Sequence, residues 1–544
     1  MGLNEQQQEA VDYFNSPLLI VAGPGTGKTR VLTEKILKII DREDNPDISN
    51  KILVSTFTIK SANELKARLK EDKRIADNVE NMQISTIHSF CQKMLETYPE
   101  YHEWGSTFSI LDEIEQYIIV RNNYKYKYDL LDLQIELQKK VGFGDVVDNI
   151  IKLFNTLSEN YVDPDKLIEE IKKDKTRENQ EFDLKVATAY KLYLDDLLDP
   201  NNVRLDFALL QREFLKLLES NSEILEKLRE KFDYILIDEY QDTNPIQDKI
   251  FRLIAEPKFN ITTVGDEDQS IYGFRGASIS NFRNFDKKYP NAKILKLENN
   301  YRSFKEIVEI SDSFISSKRD KPKKIVSQRG RFNKPLLIKG EDKSDEAKRV
   351  IEFIEEQVKK GNFDYGDVTI LFKSVRSHSE PYIEHLDKLE IPKQVIGDGS
   401  LLELNYLRKI VRLMSYLNDF ELPTESKRED IRILSLINPL SSEIIGISQE
   451  SEDKIKTALE LENSLNNFLK KDNIRELELS SEDEEILFNL IEYKNTILTS
   501  RKISQLNIYL TLIQKFGFLD KILGDKEKDP YYTLKLKNLG LFSE

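Results

Sequence analysis

Ala22-Gly23-Pro24-Gly25-Thr26-Gly27-Lys28-Thr29 stands between an apolar run, Ser16 to Ala22 (SPLLIVA), and a segment with helical spacing, Lys28 to Ile40 (KTRVLTEKILKII). The run predicts a buried strand and the segment a helix. In that setting the octet reads as a P-loop with Ala at its first position. Glycines let backbone N–H groups turn inward around phosphate oxygens, and the following helix adds the positive end of its dipole. Lys28 is then the side chain that reaches the β- and γ-phosphates of ATP, and Thr29 a ligand of Mg²⁺. The blander reading is a Gly-rich turn before a helix; the strand–loop–helix setting argues against it.

Working outward, Lys51 to Thr56 (KILVST) predicts another strand and Ser61 to Leu69 another helix. This βαβ rhythm implies a parallel sheet covered by helices. Strand signals return at Phe232 to Ile237 (FDYILI) and Ile261 to Val264, then near Ala292 to Leu297, Pro335 to Ile338 and Asp367 to Phe372. From roughly Asp112 to Pro200 the chain is charged and helix-periodic, which predicts an all-helical insertion. Beyond about Leu401 it reads as helical and acidic. The run Glu476 to Glu485 is read as a solvated helix face.

Tyr234-Ile235-Leu236-Ile237-Asp238-Glu239 is an apolar strand ending in two carboxylates. Alone it is as well an ordinary strand before a polar turn. Beside a P-loop it has the Walker B arrangement, with Asp238 holding Mg²⁺ and Glu239 polarising the attacking water.

Composition sets outer bounds. The 544 residues correspond to three or four domains at about 150 residues each. Lys and Arg number 81 against 96 Asp and Glu, a net charge of −15, which argues against a histone-like binder but not against a local basic groove. One cysteine, Cys91, excludes an intrachain disulfide and suits a reducing cytoplasm. No secretory signal pattern opens the sequence, and no apolar run approaches the ~20 residues of a membrane span.

More particular stretches carry a resemblance. Asp238-Glu239-Tyr240-Gln241-Asp242-Thr243-Asn244 is followed by Val264 to Ala277 (VGDEDQSIYGFRGA) and by Leu297 to Ser303 (LENNYRS). With Leu3 to Gln7, Ser55 to Thr58, Thr86 to Phe90 and Leu205 to Phe207, their order and spacing resemble the UvrD/Rep-type helicases of superfamily 1. The resemblance implies an α/β fold of P-loop, RecA-like parallel-sheet motor domains with large helical insertions. On that basis residues 1–91 and 204–286 form domain 1A, 92–203 the helical insertion 1B, 287–398 the first part of 2A, and 399–544 a helical domain 2B.

The activity implied is ATP-driven 3′-to-5′ translocation on single-stranded DNA and unwinding at duplex junctions, in repair or replication. Gln7 is then expected to read the adenine edge and Tyr301 to stack on its face. Gly23, Pro24, Gly25, Thr26, Gly27 and Arg30 complete the ATP contacts with Ala22, Lys28 and Thr29. Gln269 is expected to sense the γ-phosphate, and Arg302 to neutralise its charge from the second motor domain when the cleft closes. Phe57, Tyr272 and Phe274 are expected to stack on bases, a contact tolerant of sequence. Thr56, Thr58, His88 and Ser89 suit phosphate or sugar contacts, and Arg275 links base contact to the ATP site. By themselves, Phe57 is equally a core aromatic, and His88 is more often a hydrogen-bonded structural histidine.

Three positions depart from the family pattern. Ile59 stands where Asn is frequent, Phe274 where Trp is common, and Lys373 where Arg is common. Two later family motifs, an HxxKGLE-like one and a GVTRA-like one with a further arginine, have no counterpart. The expectation is therefore a chain that stops inside 2B. It would then be a fragment, a split-gene product or a degenerate relative: either an ATP- and DNA-binding piece with little activity alone, or a partner-dependent helicase subunit of a nuclease or defence complex, with a second chain supplying the missing half of the motor.

Overall fold

The computed structural model describes residues 2–14, 16–43, 47–99, 107–124, 126–130, 143–177, 179–271, 273, 278–319, 323–396, 410–411, 413–414, 417, 447–459, 468–499 and 505–515. They fall into two compact units, residues 1–335 and 336–544.

The first unit is built on a six-stranded sheet. Its strands are β1 (Leu18–Ala22), β2 (Ile52–Thr56), β3 (Gln83–Thr86), β6 (Tyr234–Ile237), β7 (Ile261–Gly265) and β8 (Lys293–Leu297), in the order β3-β2-β6-β7-β1-β8. Every pairing is parallel. A parallel sheet is covered on both faces, so its strands are apolar throughout and alternate between two cores. Leu18, Ile20, Ala22, Ile52, Val54, Leu236 and Val264 face one core; Leu19, Leu53, Ile235 and Ile237 face the other. The edge strand β8 follows the boundary at 287 expected from the sequence, and it lies along β1 from Leu18↔Lys293 to Ala22↔Leu297.

The helical insertion contains helices Glu113–Asn123, Phe143–Glu159, Pro164–Lys173 and Gln180–Leu197. Its two ends meet in a short parallel pair, β4 (Ser109–Ile110) with β5 (Arg204–Leu205). Val120, Tyr124, Tyr128, Phe154, Tyr190 and Tyr193 belong to the same core as Leu19 and Ile237 of the sheet. The helix Phe207–Ser220 starts at this neck, where Asp206 caps it by accepting from Leu209 N at 2.7 Å. Asp206 also accepts from Tyr193 Oη (2.5 Å) and Gln116 Nε2 (3.1 Å). These bonds satisfy a fully buried carboxylate.

The second unit holds the helices Lys343–Lys359 and Glu380–Lys388 around Ala347, Ile351 and Tyr382, and a separate helical core that includes Leu487 and Leu490. The strands expected over 335–338 and 367–372 are not formed. An apolar stretch becomes a strand only where a neighbour pairs with it, and Leu336, Leu337 and Leu371 are exposed. The run Glu476–Glu485 also differs from expectation. One helix ends at Glu476, the next begins at Ser481, and Asp483 is buried, accepting from Ser448 and Ser451 hydroxyls at 2.7 Å each. Among the described residues no helix is long and apolar enough to cross a membrane.

Candidate nucleotide and nucleic-acid site

The loop from Gly23 to Gly27 joins β1 to the helix Lys28–Arg42. Gly25 and Gly27 have φ of +71° and +90°, the left-handed region open to glycine at little cost. Both also lie against other chain segments. A Cβ on Gly25 would come within 2.7 Å of Arg302 Cβ, and one on Gly27 within 2.8 Å of Gln7 Nε2. Three bonds fasten the loop from outside. Gln7 Nε2 donates to Thr26 O (3.0 Å), Asn300 Nδ2 to Pro24 O (2.7 Å), and Tyr301 N to Gly25 O (2.9 Å).

Gln7 is thus engaged at both ends of its amide, since its Oε1 accepts from Asn4 N in a capping box at 3.1 Å. An adenine edge would have to compete with those bonds. Tyr301 is 40% exposed, and its hydroxyl accepts from Asn4 Nδ2. Arg302 lies in the same compact unit as the loop, with its N–H bonded to Asn300 Oδ1 at 2.9 Å. Asn300 was not singled out as a site residue from the sequence; its place within LENNYRS was the available signal.

Lys28 Nζ lies 3.0 Å from Glu239 Oε2. Glu239 itself sits at φ +49°, unusual for a residue with a Cβ, and this turn swings its carboxylate back toward the loop. Gln241 Nε2 donates to Glu239 Oε2 (2.9 Å) and to Asp242 Oδ2 (3.2 Å), while its Oε1 accepts from Asp266 N (2.9 Å). Asp266 then accepts from Gln269 Nε2 at 2.7 Å and from Lys323. Arg319 closes the series by bonding Asp268 at 2.9 Å and Asp312 at 2.5 Å. Gln241, Lys323 and Arg319 were missed as site residues. Nothing in the spacing of 317–324 (SKRDKPKK) distinguishes a buried cation from a solvated run.

Asp238 is pushed up to about 6, by burial first and then by the charge of Glu239, with Lys28 opposing. Asp242 is also pushed up to about 6 by burial and Glu239, and its Oδ1 is buried with no hydrogen-bond partner. Asp238, Glu239 and Asp242 thus lie near Lys28 with one buried carboxylate oxygen unpaired, although among the described residues no three such groups are placed to hold a metal ion together. Mg²⁺ takes one or two carboxylates together with phosphates and water, so the expected pair, Thr29 and Asp238, asks for no such cluster.

A groove of about 680 Å³ begins at these carboxylates and runs between the sheet and the helical insertion. Thr56, Phe57, Thr58, His88 and Ser89 all line it. Thr58 caps the helix Ile59–Lys70 and Thr86 caps Ile87–Thr97, which fixes the backbone on which these residues stand. Phe57 is 37% exposed. The insertion contributes Asp112, Glu113, Asp148, Lys152 and Glu159 to the facing wall, a charged surface that the motif reading did not anticipate. Tyr272, Phe274 and Arg275 lie outside the described residues.

The model of the UvrD/REP helicase N-terminal domain matches residues 3–290 of this chain. The chain belongs to the UvrD/Rep helicase family. A second model, the UvrD-like helicase C-terminal domain, matches residues 295–516. That match corrects the expectation of a missing second half: a C-terminal helicase domain is present, and the ground for a second chain supplying it is removed.

Relatives of this UvrD/Rep-family chain include the probable DNA helicase II homolog of Mycoplasma capricolum. It is 32% identical over 539 residues, covering 97% of this chain and 68% of that one. The ATP-dependent DNA helicase PcrA of Staphylococcus epidermidis is 30% identical over 545 residues, 99% of this chain and 69% of that one. PcrA of Staphylococcus aureus is 30% identical over 543 residues with the same coverage. The UvrD/Rep fold class and an ATP-dependent DNA helicase activity follow from this likeness.

Proposed function

We propose that this chain is a cytoplasmic motor that hydrolyses ATP at the Lys28–Glu239 site to move 3′-to-5′ along single-stranded DNA and open duplex junctions during repair or replication. The observation that carries the reading is one continuous set of contacts. It runs from Lys28 through Glu239, Gln241 and Asp266 to Gln269, and the carboxylates at its start also form one end of the groove holding Thr56, Phe57 and His88.

In this reading the loop N–H groups and Lys28 bind the β- and γ-phosphates, and Tyr301 stacks on the base with Gln7 beside it. Thr29 and Asp238 hold Mg²⁺, which when bound neutralises charge on the phosphate oxygens. Glu239 orients the attacking water and takes its proton. Gln269 leaves Asp266 to meet the γ-phosphate, and Arg302 stabilises the charge that develops there. Phe57 stacks on a base, with Thr56, Thr58, His88 and Ser89 on the backbone, joined by Tyr272, Phe274 and Arg275. Domains 1A, 1B, 2A and 2B take the residue ranges expected from the sequence, with β8 extending the first sheet.

Strand separation on 3′-tailed and 5′-tailed duplexes tests the reading, alongside DNA-stimulated ATP hydrolysis. Unwinding of the 3′-tailed substrate that disappears in Lys28→Ala and Glu239→Gln is the expected result. Equal activity in those variants would overturn the assigned site.

A further inference from the structure

Gln211, on the helix Phe207–Ser220, is fully buried, and neither the motifs nor the proposed chemistry use it. Its side-chain nitrogen lies 2.8 Å from Phe207 O and 2.9 Å from His88 Nε2. Its oxygen lies 3.3 Å from Asn244 Nδ2. We propose that Gln211 is a positioning residue that ties the groove imidazole of His88 to Asn244, at the end of the segment carrying Asp238 and Glu239.

The direction of every proton in this link is fixed by a neighbour. The Phe207 carbonyl can only accept, so Nε2 of Gln211 faces it and Oε1 faces Asn244. Asn244 is oriented in turn by its capping box, in which Oδ1 accepts from Gln247 N at 2.9 Å. His88 Nε2 therefore accepts from Gln211, and the ring carries its proton on Nδ1. The edge of Phe207, 5.4 Å away at 78°, holds the ring plane. Burial pushes the imidazole down to about 4, so it is neutral at physiological pH. The Nδ1–H is what His88 then has to offer an acceptor on a nucleic acid.

Asn244 follows Asp238 and Glu239 by six and five positions. Turning His88 away would leave a buried amide donor unpaired, at about 1–3 kcal/mol. His88, Gln211 and Asn244 are thus held to move together, and a shift of the ring on the DNA side is felt in the carboxylate segment. The inference rests on the reading of the groove as the DNA path.

The test pairs two variants with two measurements. In ¹⁵N-histidine-labelled protein with four histidines, His88 is expected to show a protonated Nδ1 and a bare Nε2. Gln211→Glu supplies only acceptors toward the ring and is expected to move the proton to Nε2. Gln211→Met keeps the volume and is expected to give a mixture. Both variants are expected to lower the ratio of DNA-saturated to DNA-free ATPase by about three- to thirtyfold. A wild-type His88 protonated on Nε2, or variants that keep the wild-type ratio, would overturn the link. A wild-type ATPase indifferent to DNA would instead remove the DNA reading of the groove, and the link with it.

Discussion

The ammonium of Lys28 is bonded to the carboxylate of Glu239 at 3.0 Å, so the phosphate-binding cation and the proposed water-activating base hold each other. Under the proposed function, nucleotide phosphates compete with Glu239 for Lys28, and their arrival frees the carboxylate for its task. The two substitutions at this pair should therefore differ in kind. Lys28→Ala should weaken nucleotide binding and lower the hydrolysis rate by about 10²–10³-fold. Glu239→Gln should bind nucleotide normally and lose about 10²–10⁴-fold in rate. Equilibrium binding of a fluorescent ATP analogue beside steady-state ATPase separates the two; equal binding defects would refute the division of roles.

Gly25→Ala should weaken nucleotide binding by about ten- to a hundredfold. The substitution meets a φ of +71° and the Arg302 side chain at 2.7 Å, so the loop must shift. Backbone strain of this kind costs on the order of 1–3 kcal/mol. Calorimetric ATP binding at wild-type affinity would contradict the geometry.

Lys323→Met should destabilise the first unit by about 3–5 kcal/mol, because it strips the counter-charge from a fully buried Asp266. Gln269 shares Asp266, so ATPase should fall as well. Lys323→Met combined with Asp266→Asn removes both charges and should recover much of the stability but not the rate. Chemical denaturation and ATPase assays read the two effects separately.

Glu159 is pushed up to about 8 by burial, then by the charge of Asp206, with Asn244 opposing. The folded state thus binds a proton that the unfolded chain releases near 4.5. The stabilisation from this group is full below about 4.5 and is lost as pH rises through about 8. Glu159→Gln should flatten that loss and make the variant the more stable form at pH 8.5, by about 1–3 kcal/mol. Melting curves that run parallel between pH 6 and pH 8.5 for both proteins would contradict it.

Much of the first sheet was legible in the sequence, because SPLLIVA, KILVST and YILI are buried on both faces and read as unbroken apolar runs. The P-loop and the Asp238–Glu239 pair were legible because their spacing is local. What escaped notice was set by pairing at a distance. Gln241 meets Asp266 across 25 positions, Lys323 meets Asp266 across 57, and Asn300 meets Pro24 across 276. The stretch 335–338 has strand-like composition and no ladder, since composition does not create a neighbour. Glu476–Glu485 looked solvated because its acidity was visible and the serines that bury Asp483 were not.

The insertion is pinned at its neck by β4 and β5 and shares one apolar core with the sheet. It is therefore a buttress cast in one piece with the motor rather than a hinged flap. Load met by those helices passes into the strands that carry the nucleotide loop, and heat should melt helices and sheet in a single cooperative step.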